Sequence, residues 1–189
     1  MKYSRPFASI CGLLILSSCA QAPRLQTFNT VPDFTLTAES GSPFQSATEL
    51  KGKVWLADFI FTTCMGPCPR LSSQMKQVQA ATQDLNDLRL VSFTVDPAND
   101  TPEALAAYAK RYSARPGRWI FLTGPAEALH ALSMDAFMLG KVDGKQMDHS
   151  TRLVLVDRKG RVRKYYATSE GFEIPELVRD VKALLKEPA

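Results

Sequence analysis

The stretch "KVWLADFIFTTCMGPCPRL", Lys53 to Leu71, sets the terms for everything around it. Its first half, Lys53 to Phe61, is nearly continuously apolar, the pattern of a strand buried on both faces. Its second half changes period. From Pro69 onward Leu71, Met75, Val78 and Ala81 fall on one helical face, and Pro69 suits a first helical position, where its missing N–H costs nothing. Between strand and helix stand Cys64 and Cys68, with three residues separating the thiols. Ligands of open α/β sheets gather at such carboxyl ends of strands, so the pair sits where a site belongs.

The flanking sequence extends the same alternation. "DFTLTAESGSPFQSA" reads as an N-terminal hairpin turning at "ESGS". "LRLVSFTV", Leu88 to Val95, is a second strand. The helix "TPEALAAYAKRY" follows, with Thr101 as N-cap, Pro102 in the first turn and a stripe of Leu105, Tyr108, Ala109 and Tyr112. "RWIFLTG" gives a third strand and "PAEALHALSM" a shorter helix. "RLVLVD" and "RVRKYYA" form a hairpin across "RKG". "IPELVRDVKALLKEP" is a helix with Ile174, Leu177, Val178, Val181, Leu184 and Leu185 on one side. The order predicts an α/β fold with a central mixed β-sheet flanked by helices.

The 189 residues suffice for one domain with its own core, and 45% hydrophobic against 22% charged is ordinary globular composition. The N-terminus reads as an export signal: Lys2 and Arg5 precede the short apolar run "FASICGLLILSS", Phe7 to Ser18. Without those two cations the chain carries 21 basic and 19 acidic residues, a balance that gives no reason to expect a nucleic-acid partner. "LSSCA", Leu16 to Ala20, resembles the bacterial lipoprotein cleavage motif, in which the cysteine is lipidated and becomes the first mature residue. The expected organisation is a lipoprotein signal peptide over 1–18, a flexible tether over 19–30 beginning at lipidated Cys19, and a domain over 31–189. The expected location is periplasmic or otherwise extracytoplasmic, at a membrane.

With Cys11 in the leader and Cys19 acylated, the domain owns only Cys64 and Cys68. A single close pair closes a small loop and stabilises little as a staple. At a helix N-terminus, unpaired N–H groups favour thiolate, which serves equally as nucleophile and as soft metal ligand. Two histidines accompany the pair. His130, inside "EALHAL", reads as an ordinary helical residue. His149, in the polar "MDHST" before a strand, would complete a two-sulfur, one-nitrogen set suited to Cu(I), with Zn or Cu(II) as alternatives.

Taken together, "FTTCMGPCP", "VDPANDTPEALAAYA" and "MDHST" resemble the SCO/SenC family of thioredoxin-fold copper proteins over roughly Val31 to Leu185. The resemblance implies a membrane-tethered domain that binds copper through Cys64, Cys68 and His149. It also implies delivery of copper to the dinuclear copper site of cytochrome c oxidase, so the copper-accepting oxidase subunit is a partner, and a thiol reductase would keep the pair reduced. Some family members are assigned thiol–disulfide or redox-signalling roles. On that alternative the protein is a periplasmic thiol–disulfide oxidoreductase, with Cys64 attacking and Cys68 resolving.

Three details bear on the choice. Many family members have Pro after the first cysteine, and this chain has Met65, for which solvent or packing is a simpler role than copper ligation. Asp58 parallels thioredoxin's buried acid and could relay protons to the thiols, or could simply be satisfied within the strand. Thioredoxin-like exchangers carry a cis-proline before the final hairpin, whereas this chain has no proline between Pro125 and Pro175. The copper reading is the favoured one, and the protein is then an assembly factor and not an enzyme.

Overall fold

The computed structural model describes residues 25–139, 151–168 and 172–188. The hairpin pairs β1 (Thr35–Ala38) with β2 (Pro43–Gln45), and a single helical turn, α1 (Ser46–Glu49), leads away from it. Then come β3 (Val54–Ile60), α2 (Cys68–Ala81), β4 (Leu88–Thr94), α3 (Pro102–Arg111), β5 (Trp119–Thr123) and α4 (Ala126–Ala131). The chain continues from α4 through a π-helical turn (Leu132–Ala136) and closes with β6 (Arg152–Val156), β7 (Val162–Ala167) and α5 (Ile174–Leu185).

The strands form one seven-stranded sheet in the order β2-β1-β5-β4-β3-β6-β7. β3, β4 and β5 are parallel, and β1, β2, β6 and β7 are joined by antiparallel pairings. The two parallel steps run the same way across the sheet, so right-handed crossovers put α2 and α3 on one face. Every residue of β3 is buried, because β4 and β6 occupy its edges and side chains cover both faces. On one face Leu56, Ile60, Leu90 and Phe121 meet Leu71 and Met75 of α2, Leu105 of α3 and Leu177 and Val181 of α5. On the other, Phe59 stacks on Phe93 at 5.0 Å between ring centroids, and Phe137 packs edge-on to Phe59 at 5.4 Å.

Three expectations need adjusting. α2 begins at Cys68, so Pro69 is its second residue, and Ala81 is exposed where the sequence stripe placed it inside. The buried positions of α2 step from Leu71 through Met75 to Val78 and then Thr82, whose hydroxyl donates to the Val78 carbonyl at 2.7 Å. The helix over "PAEALHALSM" does not stay α-helical: a π turn follows Ala131, with Phe137 N–H bonding the Leu132 carbonyl. Finally, residues 25–30, assigned to the tether, lie against the domain. Phe28 N–H donates to Val162 and Val162 N–H to Asn29, each at 2.9 Å, while Arg163 donates to the carbonyls of Gln26 and Leu25 at 2.8 and 2.9 Å. These bonds use the outer edge of β7, which would otherwise present unpaired backbone groups. The "RKG" turn is as read, with Gly160 at φ 73°, a backbone conformation that favours glycine.

Candidate metal and redox site

β3 ends at Ile60 and the chain turns through Phe61–Pro67 before α2 begins at Cys68. The turn is closed by Cys64 N–H donating to the Phe61 carbonyl at 3.2 Å, and by Leu71 N–H donating to Pro67. Pro67 is the N-cap and offers no side-chain acceptor, Pro69 has no N–H, and Arg70 N–H donates to the Pro67 carbonyl at 3.1 Å, so in the first turn of α2 it is the Cys68 N–H that turns to the Cys64 sulfur. Both cysteines are free thiols. Cys68 is 0% exposed and faces the α2 side of the core, while Cys64 is only partly covered.

The two sulfurs are electrostatically unequal. Burial pushes the Cys64 thiol up, but hydrogen bonds from the Cys68 side chain and from the backbone of Cys68 and Gly66 outweigh it, and the net shift is downward. Burial also raises Cys68, and the Cys64 hydrogen bond adds to it, so that despite a backbone bond at Phe61 the thiol is pushed up to about 12. Negative charge on Cys64 and on Asp58 contributes in the same direction. The outer sulfur therefore ionises first, as a nucleophile or a first metal ligand must.

Asp58 lies in β3 directly across from Ser92 of β4, on the face that carries Cys68. Ser92 Oγ donates to Asp58 Oδ1 at 2.5 Å and accepts from Trp119 Nε1 at 2.9 Å, while Asp58 Oδ2 has no partner. Burial raises the Asp58 carboxyl to about 7 against the lowering effect of Ser92 and of a backbone bond. Satisfaction within the strand is thus partial, and the relay role weighed from sequence keeps a physical basis.

Sequence reasoning missed Asp100. Its side chain is fully buried and accepts from Thr62 N–H at 3.2 and 3.1 Å, from Thr62 Oγ1 at 2.5 Å and from Thr94 Oγ1 at 2.5 Å. Thr94 Oγ1 in turn accepts from Asp96 N–H at 2.9 Å. Asp100 thus ties the cysteine turn, two residues before Cys64, to the end of β4 and the "VDPAND" loop. The available signal was an Asp directly before the Thr101 cap, inside a motif quoted only as a whole.

His130 is exposed on α4. Met65 is 98% exposed, which fits solvent and removes packing as its role. His149 and Cys19 lie outside the described residues, as does the whole segment 1–24. Among the described residues no group of three or more His, Cys, Asp or Glu side chains is arranged to hold a metal ion. Cys64 and Cys68 therefore stand as two soft donors with no third His, Cys, Asp or Glu grouped beside them among the described residues. A Cβ at Gly66 would meet Cys64 Sγ only at 4.0 Å, an ordinary van der Waals distance, so the loop passes the sulfur without crowding it.

A mixed sheet of this order, with a thiol pair at the carboxyl end of an inner parallel strand, defines a protein of the thioredoxin-like class. The SCO1/SenC family profile matches residues 22–186, and the chain belongs to that family. A SCO1/SenC family lipoprotein from Bacillus anthracis is 33% identical, with 85% of this chain and 98% of that one covered and a TM-score of 0.75. BsSco, a member of the Sco family of cytochrome c oxidase assembly proteins in which a disulfide switch was identified, is 32% identical over 87% of this chain and 99% of that one, TM-score 0.75. ScoI of Bradyrhizobium japonicum, solved with copper bound, is 24% identical over 82% and 99%, TM-score 0.68, and at that identity the likeness is one of fold.

Proposed function

We propose that the chain is a membrane-tethered copper-binding protein, a copper chaperone that delivers copper to, or matures, the dinuclear copper site of cytochrome c oxidase. One observation carries the reading: two free thiols of unequal exposure stand side by side at the carboxyl end of β3. Cys64 and Cys68 supply thiolate sulfur and His149 the nitrogen, a soft set that favours Cu(I) and also accommodates Cu(II). Membership of the SCO1/SenC family and the oxidase-assembly role of BsSco support it. Cys19 carries the lipid that holds the domain at the extracytoplasmic face of a membrane, consistent with the lipoprotein relative. A thiol reductase keeps Cys64 and Cys68 from closing into a disulfide in an oxidising compartment.

The chain's own residues prepare the pair for cargo. The backbone N–H groups of Gly66 and Cys68 stabilise the Cys64 thiolate, the buried wall of α2 fixes Cys68, and Asp100 holds the turn that presents both. The ion enters as cargo and leaves by ligand exchange with the recipient.

The unequal thiols also favour a second reading, a thiol–disulfide oxidoreductase in which Cys64 attacks and Cys68 resolves. An anaerobic Cu(I) titration of the reduced protein against a competing chelator tests the first reading, with one ion per chain expected. The variant His149→Ala then separates the two. It loses most Cu(II) affinity and the visible thiolate-to-copper charge-transfer band, while thiol–disulfide exchange changes little. Unchanged Cu(II) binding in that variant removes His149 from the site.

A further inference from the structure

We infer that Met65 is a third soft donor for Cu(I), the ligand through which the ion enters and leaves the Cys64–Cys68 pair. This rests on the copper reading and adds to it a route. The segment Cys64–Cys68 places three sulfur-bearing side chains within five residues, and the fold grades them by depth. Cys68 is 0% exposed, Cys64 is partly covered, and Met65 is 98% exposed. An ion held by the pair is closed off on the Cys68 side by the core packed around α2, so arrival and departure take place on the Cys64 side. Met65 is the chain neighbour of Cys64 and stands in solvent on that turn.

Its exposure is a second, separate observation. The large apolar side chains exposed among the described residues are Phe28 at 46%, Met138 at 56% and Met65 at 98%. Met65 alone has essentially no packing, so a hydrocarbon of the same size would do nothing there for the fold. What methionine offers over such a hydrocarbon is a thioether, a soft, uncharged donor on three rotatable bonds. Gly66 and Pro67 follow it, and Gly66 adds no side chain beside Cys64 Sγ.

The exchange balances simply. One copper–sulfur bond, to Cys68, breaks as another, to Met65 Sδ, forms. The ion remains Cu(I), no electron moves, and the released thiolate takes back from solvent the proton that metal binding had expelled. The thioether then yields to a donor of the recipient. A neutral ligand suits this step, because it is displaced more readily than a second thiolate.

The test uses the full-length protein, reduced and anaerobic, labelled with 13C-methyl methionine. Loss of one signal in Met65→Leu assigns Met65, and Met138 serves as an exposed methionine far from the pair in sequence. One equivalent of Cu(I), or of Ag(I) as a redox-inert substitute, should shift the Met65 methyl and leave that of Met138 in place. In stopped-flow transfer to a small chelator, Met65→Leu should release Cu(I) more slowly, by about tenfold or more, the scale on which residues supporting a metal site act. Leucine keeps the apolar bulk, so a rate equal to wild type, or a Met65 methyl that moves no more than that of Met138, overturns the inference. Wild-type protein that takes up Cu(I) with a silent Met65 removes this inference alone. Wild-type protein that takes up none removes the copper reading as well.

Discussion

Replacing Asp58 by asparagine should make the stability of the reduced, metal-free protein much less dependent on pH. Asp58 is 0% exposed, burial raises its carboxyl from 3.8 to about 7, and its Oδ2 has no partner. Between these two values the folded chain keeps a proton that the unfolded chain has lost. Stability therefore falls as pH rises from about 4 to about 7 and is flat with respect to this group above that. A difference of about three pKa units corresponds to roughly 4 kcal/mol. The side chain introduced by Asp58→Asn has almost the same shape and could still accept from Ser92, but it cannot ionise. Its NH2 group, left where Oδ2 has no partner, costs about 1–3 kcal/mol at every pH and so cancels from the comparison. Urea unfolding at about pH 4 and about pH 8 measures it. The variant should gain roughly 4 kcal/mol relative to wild type between the two conditions. Parallel stability curves would mean that Asp58 is solvated or paired in solution and that its buried, half-satisfied state is not real.

Three further outcomes are expected. Asp100→Ala strands Thr62 N–H, Thr62 Oγ1 and Thr94 Oγ1, and should cost about 3 kcal/mol or more in chemical denaturation, with Asp100→Asn recovering part of it; a loss below about 1 kcal/mol would show that the cysteine turn does not depend on it. Iodoacetamide near neutral pH should modify Cys64 at least roughly tenfold faster than Cys68, since Cys64 is the more exposed thiol and its pKa is lowered while that of Cys68 is raised; peptide mass spectrometry giving equal rates would contradict the assigned asymmetry. Cys19→Ser should abolish fatty-acid labelling and detergent partitioning while leaving the domain folded, and a soluble, unlabelled wild-type protein would dismiss the anchor.

Periodicity made the elements legible where burial is one-sided or complete. β3 reads as an apolar run broken only by Asp58 because both its faces are covered, and Leu177, Val181 and Leu184 of α5 recur at helical spacing because one face meets α2 and the sheet. The same signal fails where polar atoms do the joining. Residues 25–30 are held by backbone bonds to β7 and by Arg163, and neither leaves a hydrophobic pattern to read. Ala81 was misplaced because its size is neutral: the inward position after Val78 went to Thr82, which satisfies its own hydroxyl. The π turn after Ala131 has no composition signature at all. Within the site, thiol spacing exposed Cys64 and Cys68, but Asp100 acts through Thr62 and Thr94, whose places relative to it are set by the sheet and not by the chain.

The two buried acids near the thiols show how one end of a sheet can be rigid and adjustable at once. Asp100 takes donors on both oxygens and joins the cysteine turn to the β4–α3 loop, so moving the turn would break several short bonds together. Asp58 takes one side-chain donor, leaves one oxygen bare and lies near enough for its charge to act on the buried thiol. Burial of the half-satisfied Asp58 brings its carboxyl to about 7, so both its protonation states are within reach near neutral pH. Ionised Asp58 opposes a thiolate at Cys68, and protonated Asp58 permits it. Cargo binding requires that thiolate, and so does closure of a disulfide, so the same carboxyl bears on both proposed chemistries. On the proposed copper reading the two chemistries are divided by the further ligands and not by the acid, so removal of His149 or Met65 is expected to weaken copper binding or transfer while leaving disulfide chemistry in place.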